Sequence, residues 1–176
     1  AFIDRIDFFA GGFPAKYGDK QSSVMDVTLR EGNKNKNEIE LEANMAGVGL
    51  NMEGPIFNNK GSYMASYRKS FLKYIIKSVG LKAVPEYWHS QLKLVYDLNK
   101  KDKIIFNYIT GDDEVNVEDE NRPDLGSADH VDHKGSRSVF GVTYKSLFSQ
   151  NGYFQWSLAQ NISSWDAKVY NKINGL

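Results

Sequence analysis

Glu38, Glu40 and Glu42 recur at alternate positions, and Glu53 follows them, making the most regular set of ionisable side chains in the sequence. Successive side chains of an extended strand point to opposite faces, so the three alternating carboxylates share one face. Such a face can hold cations, and the N-terminal stretch offers Lys16, Lys20 and Arg30. Ion pairs of this kind in a wet setting contribute about 0–1 kcal/mol each, which suits a contact that must also release. Arg68, His89 and Lys93 fall on polar positions of later alternating segments and suit an anionic small molecule. From Asp112 to His133 the sequence carries Asp112, Asp113, Glu114, Glu118, Asp119, Glu120, Asp124, Asp129 and Asp132, with His130 and His133 among them. Two histidines could share a metal, but the calcium-loop spacing is absent and such a run reads as a solvated loop. Catalytic frames are missing: there is no nucleophile elbow, no phosphate-binding glycine loop, no metalloprotease helix and no framed carboxylate pair. The expectation is a non-enzymatic protein that carries no cofactor and no metal.

The elements that must position these groups are strands. Ile39, Leu41, Ala43 and Met45 oppose the glutamates; Val48, Leu50, Met52 and Ile56 oppose Gly49, Asn51 and Glu53. Tyr63, Ala65, Tyr67 and Phe71 continue the pattern, followed by Trp88 to Leu98, Ile104 to Gly111, Phe140 to Phe148 and Phe154 to Ile162. Each run is near the roughly 9–11 residues of a tilted membrane strand and longer than the roughly 5–6 of a globular one. Between them, "FNNKG", "NKKD" and "SQNG" are tight hairpin turns, whereas residues 72–87 and the acidic 112–135 are long loops. Short connections therefore gather at one end of the sheet and long ones at the other, with the tight "AGVG" of 46–49 an exception on the long side. Aromatic residues, 13% of the chain, collect near strand ends, as an interfacial belt does.

Composition narrows the class. The 176 residues carry 22 basic and 22 acidic groups, a formal charge of zero that gives no reason to expect a nucleic-acid partner. Cysteine is absent, so disulfides and thiol chemistry are excluded. No stretch reaches the roughly 20 apolar residues of a membrane helix, a test to which membrane barrels are blind. A chain opening on "AFIDRIDFF" without Met reads as a piece of something longer.

Residues 5–32, "RIDFFAGGFPAKYGDKQSSVMDVTLREG", resemble the end of the plug domain of TonB-dependent outer-membrane receptors. The shared features are a strand, the Gly11-Gly12 turn, the Pro14, Tyr17 and Gly18 element, and a Ser-Ser strand entering the barrel. "NMEGPIFNNKGSYMASYRKSFL", 51–72, is similar to the family's first barrel strands. Where the family commonly has Gly-Arg after the Tyr-Gly, this chain has Asp19, Lys20 and Gln21. Gly11, Gly12 and Gly18 would permit positive φ or close backbone approach.

The resemblance implies a plug remnant over 1–34 and an antiparallel transmembrane β-barrel portion over 35–176, about seven strands of a barrel that closes with about 22. It implies a Gram-negative outer membrane, a lipid bilayer around the strands and a TonB-type energy transducer whose contact segment lies outside this chain. The cargo would be a scarce small molecule or oligosaccharide: a ferric siderophore, cobalamin or a glycan. On this reading Lys16 and Arg30 would pair with Glu40, Glu42 and Glu53 to seat the plug, and Arg68, His89 and Lys93 would line the lumen. The competing expectation is a secreted or surface all-β module that binds glycans, with its apolar faces packed across a core.

Overall fold

The computed structural model describes residues 2–19, 21–72, 83–118, 128–150 and 152–172. It is an all-β chain in two units, residues 1–31 and 32–176.

In the first unit β1 (Ile3–Ala10) pairs antiparallel with β2 (Ser23–Leu29), from Ile3 opposite Leu29 to Ala10 opposite Ser23. The connection begins at Gly11, whose φ of 75° lies in the left-handed region, and its N–H donates to the Ser22 carbonyl at 3.2 Å. Tyr17 N–H closes a turn onto the Pro14 carbonyl at 3.1 Å. Of the three glycines expected to need special geometry, only Gly11 does: a Cβ at Gly12 or Gly18 would meet nothing. Among its described residues the other left-handed one is Asp19, with φ 56°, a conformation that aspartate tolerates.

The second unit is a seven-stranded antiparallel sheet in which every strand pairs with its neighbours in sequence. Its members are β3 (Glu38–Asn44), β4 (Gly47–Ile56), β5 (Gly61–Ser70), β6 (Ala83–Asp97), β7 (Asp102–Glu118), β8 (Ala128–Leu147) and β9 (Tyr153–Lys172). The sheet is open, with β3 and β9 as its edges. The turns at 57–60 and 98–101 and the connection β8–β9 fall at one end; the Met45-Ala46 turn and the connections β5–β6 and β7–β8 fall at the other. In the Met45-Ala46 turn, Asn44 Oδ1 accepts from the Ala46 and Gly47 N–H groups at 2.9 and 3.1 Å.

Both expected loops are shortened by strand at their ends. Residues 83–87 belong to β6; Pro85 is accommodated there because β5 stops pairing at Lys69–Trp88, leaving β6 a neighbour on one side only. The acidic stretch continues β7 to Glu118 and re-enters β8 at Ala128, so that only 119–127, outside the described residues, remain between them. Charge alternates across the strands: Glu114 lies 3.3 Å from Lys134, and Lys134 stands opposite Asp166. Opposite charges on facing positions support pairing where a run of acids alone would not.

Register separates two faces. On one, Leu41, Leu50, Tyr67, Leu92, Leu94, Phe106, Phe140, Val142, Trp156 and Leu158 form an apolar band through all seven strands. The band is open at both edges, Leu41 being 80% and Leu158 62% exposed. The buried side chains of the sheet, Glu53, Ser62, Met64, Ser70, Lys93 and Val95, lie on the opposite, polar face. There the segment 32–37 crosses the sheet, Gly32 abutting the Tyr63 carbonyl and Met64.

Candidate functional site

The polar face is a set of transverse rows, because an antiparallel register places facing residues of successive strands on one side. One row runs Glu42, Gly49, Arg68, His89, Gly111, Arg137 and Ser163 from β3 to β9. Arg68 Nη2 reaches over Gly49 to pair with the Glu42 carboxylate. The bridge skips a strand, and Gly49 makes this possible by having no side chain in the way. Asn51, in the next row, donates to Glu40 at 3.2 Å and to Glu42 at 3.0 Å. His89 stacks with Tyr87, ring centroids 6.5 Å apart, and Gly111 leaves room beside it, a Cβ there falling 3.0 Å from that of His89.

Two charged residues of this face are buried, Glu53 and Lys93, flanking Met64 in a single row. Burying a carboxylate requires hydrogen bonds to hold it ionised, and Glu53 accepts the Asn33 N–H at 2.8 Å. Lys34 pairs with Asp97, which also lies 3.9 Å from Lys103. The segment 32–37 is thus tied to β4 and β6 by its own polar groups.

Toward the long-connection end, Asp113 lies 3.7 Å from His133 Nε2, and His133 sits beside Trp165 at 6.2 Å between centroids. His130 and the carboxylates of 118–129 fall among residues whose side chains are not described, so the shared-metal expectation lies outside the described residues.

In the N-terminal unit, Lys16 Nζ lies 3.5 Å from Asp26, whose carboxylate also accepts the Tyr17 hydroxyl. These partners hold Asp26 below the ordinary carboxylate range, the Tyr17 hydrogen bond foremost and Lys16 after it. Arg30 donates to the Glu31 carbonyl at 3.2 Å and stands over the Phe2 ring at 5.9 Å. Lys20 lies outside the described residues.

The structure therefore groups Glu40, Glu42, Arg68 and His89 in one polar field and gives Glu42 an arginine partner inside its own sheet. Gly49, Asn51 and Arg137 join that field without having been singled out from sequence. Gly49 and Asn51 did carry a signal, their parity with the glutamates, but only register shows that Gly49 lies between Glu42 and Arg68. Among the described residues no three His, Asp or Glu side chains converge on one point. Comparison with family models, with curated proteins and with solved structures finds no match.

Proposed function

We propose that this chain is the end of the plug and the first seven barrel strands of a TonB-dependent outer-membrane receptor that imports a scarce nutrient. Ferric siderophores, cobalamin and oligosaccharides are the cargo classes the resemblance brings. The observation that carries the reading is the seven-stranded, next-neighbour antiparallel sheet with one apolar face, half-exposed at its centre and open at both edges, and one polar face. An aqueous protein rarely leaves an apolar patch of that extent uncovered, whereas a membrane barrel presents such a face to lipid and the alternate residues to its lumen.

On β9 the band from Phe154 to Ile162 is followed on the same face by Ser164, Asp166 and Lys168, so apolar and charged zones divide the strand along its length. Nine residues are about what a tilted strand needs to cross hydrocarbon. The polar field around Glu42, Arg68 and His89 then lines the lumen, and import of a polar solute past it requires no catalytic group.

The test is fractionation of the full-length protein expressed in a Gram-negative cell. It is expected to stay in the outer membrane through an alkaline carbonate wash and to leave only with detergent. Recovery as a monodisperse protein in detergent-free buffer would instead identify a soluble all-β binding module.

A further inference from the structure

Register puts Asp97, Lys103 and Lys145 in one row of the polar face, at the end where the short turns lie. Lys103 and Lys145 therefore stand directly opposite each other on β7 and β8, a placement of like charges that destabilises a sheet. Around them Lys34, Lys60, Lys100 and Lys101 complete the basic lining of an open concavity of about 780 Å3. Two of its turns are fixed by backbone hydrogen bonds: the Lys60 carbonyl accepts the Asp97 N–H at 2.7 Å, and the Lys101 carbonyl accepts the Leu147 N–H at 3.0 Å. Lys145 Nζ lies over the Tyr153 ring, 4.8 Å from its centroid, on the same face. Two carboxylates line the concavity beside the six lysines. Asp97 is shared, pairing with Lys34 and lying 3.9 Å from Lys103. Asp102 has the opposite parity, and its carboxylate accepts at 3.0 Å the hydroxyl of Tyr144, which stands opposite Trp156 of the apolar band. The polar side of the concavity is therefore strongly basic.

We infer that this concavity binds a small polyanion, a solute carrying two or more phosphate or carboxylate groups. Such a ligand would lie between the facing ammonium groups of Lys103 and Lys145 and turn the repulsion built into the register into attraction. Size favours a small molecule over an acidic protein segment, since the volume falls within the roughly 300–1,000 Å3 of small-molecule sites. Lysine ammonium groups are point charges on flexible stems, without the planar fork by which arginine selects carboxylate or phosphate geometry. The concavity therefore selects the number and spacing of negative charges, and both chemistries fit it. It differs in this from the field around Glu42, Arg68 and His89 on the same face, where Arg68 is paired with Glu42. The inference goes beyond the transport reading, because it rests on the register of β6, β7 and β8 and on charge, and not on what the apolar face meets. Under that reading the site lies in the lumen, at its short-turn mouth.

The experiment titrates the full-length protein with pyrophosphate and, separately, with citrate by calorimetry at constant ionic strength, in detergent or without it as its fractionation dictates. Wild type is expected to bind, and saturating ligand to raise its urea midpoint. Lys145→Gln should weaken binding about tenfold, and adding Lys60→Gln should weaken it about tenfold again. Lys145→Arg, which keeps the charge, should restore binding to within a few-fold, a rescue that separates ligand contact from a folding defect. A control at the other end of the sheet, Lys69→Gln with Lys134→Gln, should bind as wild type does. Binding of one probe and not the other would support the site and fix its chemistry as phosphate or carboxylate. Unchanged affinity in the double variant, equal loss in the control, or no binding of either probe would each overturn the inference. A protein that stays in the membrane fraction but binds neither probe would lose this site and keep the transport reading. One that binds and is monodisperse without detergent would keep the site and lose that reading.

Discussion

Arg68 on β5 pairs with Glu42 on β3 across the bare backbone of Gly49 on β4. A Cβ at Gly49 would stand 3.6 Å from both Arg68 Nε and Glu42 Oε2, an ordinary contact, so alanine fits there and a larger side chain does not. Both partners are about one-third exposed, which screens their attraction. A double-mutant cycle with Glu42→Gln and Arg68→Gln is expected to give a coupling of up to about 1 kcal/mol in urea unfolding from detergent. In the Gly49→Leu background the coupling should vanish. An undiminished coupling there would show that the bridge does not pass over Gly49.

Ser62 presents the opposite situation. The residue is 1% exposed, and its buried hydroxyl has no hydrogen-bond partner among the described residues. An unsatisfied buried hydroxyl destabilises, by about 1–3 kcal/mol relative to a paired one. Ser62→Ala, which removes the hydroxyl and leaves only a small gap beside Val95, is expected to raise the urea midpoint. A lowered midpoint would show that the hydroxyl is bonded in solution.

Glycines divide into those that need to be glycine and those that do not. At Gly61 a Cβ would strike the Val95 carbonyl and come within 3.1 Å of Ile56 Cγ1. Gly61→Ala is therefore expected to destabilise by about 1–3 kcal/mol. Gly11→Ala meets no atom but holds an L-residue at φ 75°, a penalty of about 1–2 kcal/mol. Gly12→Ala and Gly18→Ala, open and outside the left-handed region, should be neutral or stabilise by up to about 1 kcal/mol. Equal effects at all four sites, measured by denaturant unfolding, would contradict this division.

Strand order and face assignment were legible in the sequence because alternation is local: Leu41, Leu50, Tyr67, Leu94 and Trp156 fall on one side whatever their partners. Strand length was not. Residues 112–118 and 128–135 look like loop because acids dominate a linear window, and the pairing that makes them strand, Glu114 with Lys134 and Lys134 opposite Asp166, joins positions far apart in the chain. The polar field was half legible for the same reason. Glu40, Glu42, Arg68 and His89 announce themselves by type, but Gly49 matters only through what stands to either side of it. Gly12 and Gly18 are the converse, prominent in the sequence and unconstrained in the structure.

Asp26 carries a pH dependence whose sign is set by its depressed pKa. The ionised carboxylate is favoured in the fold by the Tyr17 hydroxyl first and Lys16 second, relative to an ordinary value of 3.8. A group lowered on folding contributes stability above its unfolded pKa and loses it as pH falls through the folded value. The connection between β1 and β2 is therefore expected to keep its protection at neutral pH and to loosen as pH drops below 3.8. Amide exchange at Gly11 and Tyr17 reads this directly, since both N–H groups bond within the connection. Asp26→Asn should leave exchange at these amides independent of Asp26 ionisation over that range; an unchanged acid response in the variant would assign it to another group.

Neighbouring positions on β9 give the sharpest comparison between the two faces. Leu158, opposite Val142, lies in the exposed apolar band, and Ser157, opposite Thr143 and 2.9 Å from it hydroxyl to hydroxyl, lies on the polar face. A lysine at a lipid-facing midplane position destabilises a membrane barrel by about 2–4 kcal/mol, while lumen positions accept charge. Leu158→Lys is thus expected to block folding of the full-length protein into lipid vesicles, or to lower its stability there by that amount, and Ser157→Lys to leave both nearly unchanged. In a soluble sheet whose apolar side meets water, Leu158→Lys would instead be harmless, since it would add one more charge to an exposed surface. Equal tolerance of the two substitutions in vesicles would therefore remove the lipid-facing role of the band, and the transporter reading with it.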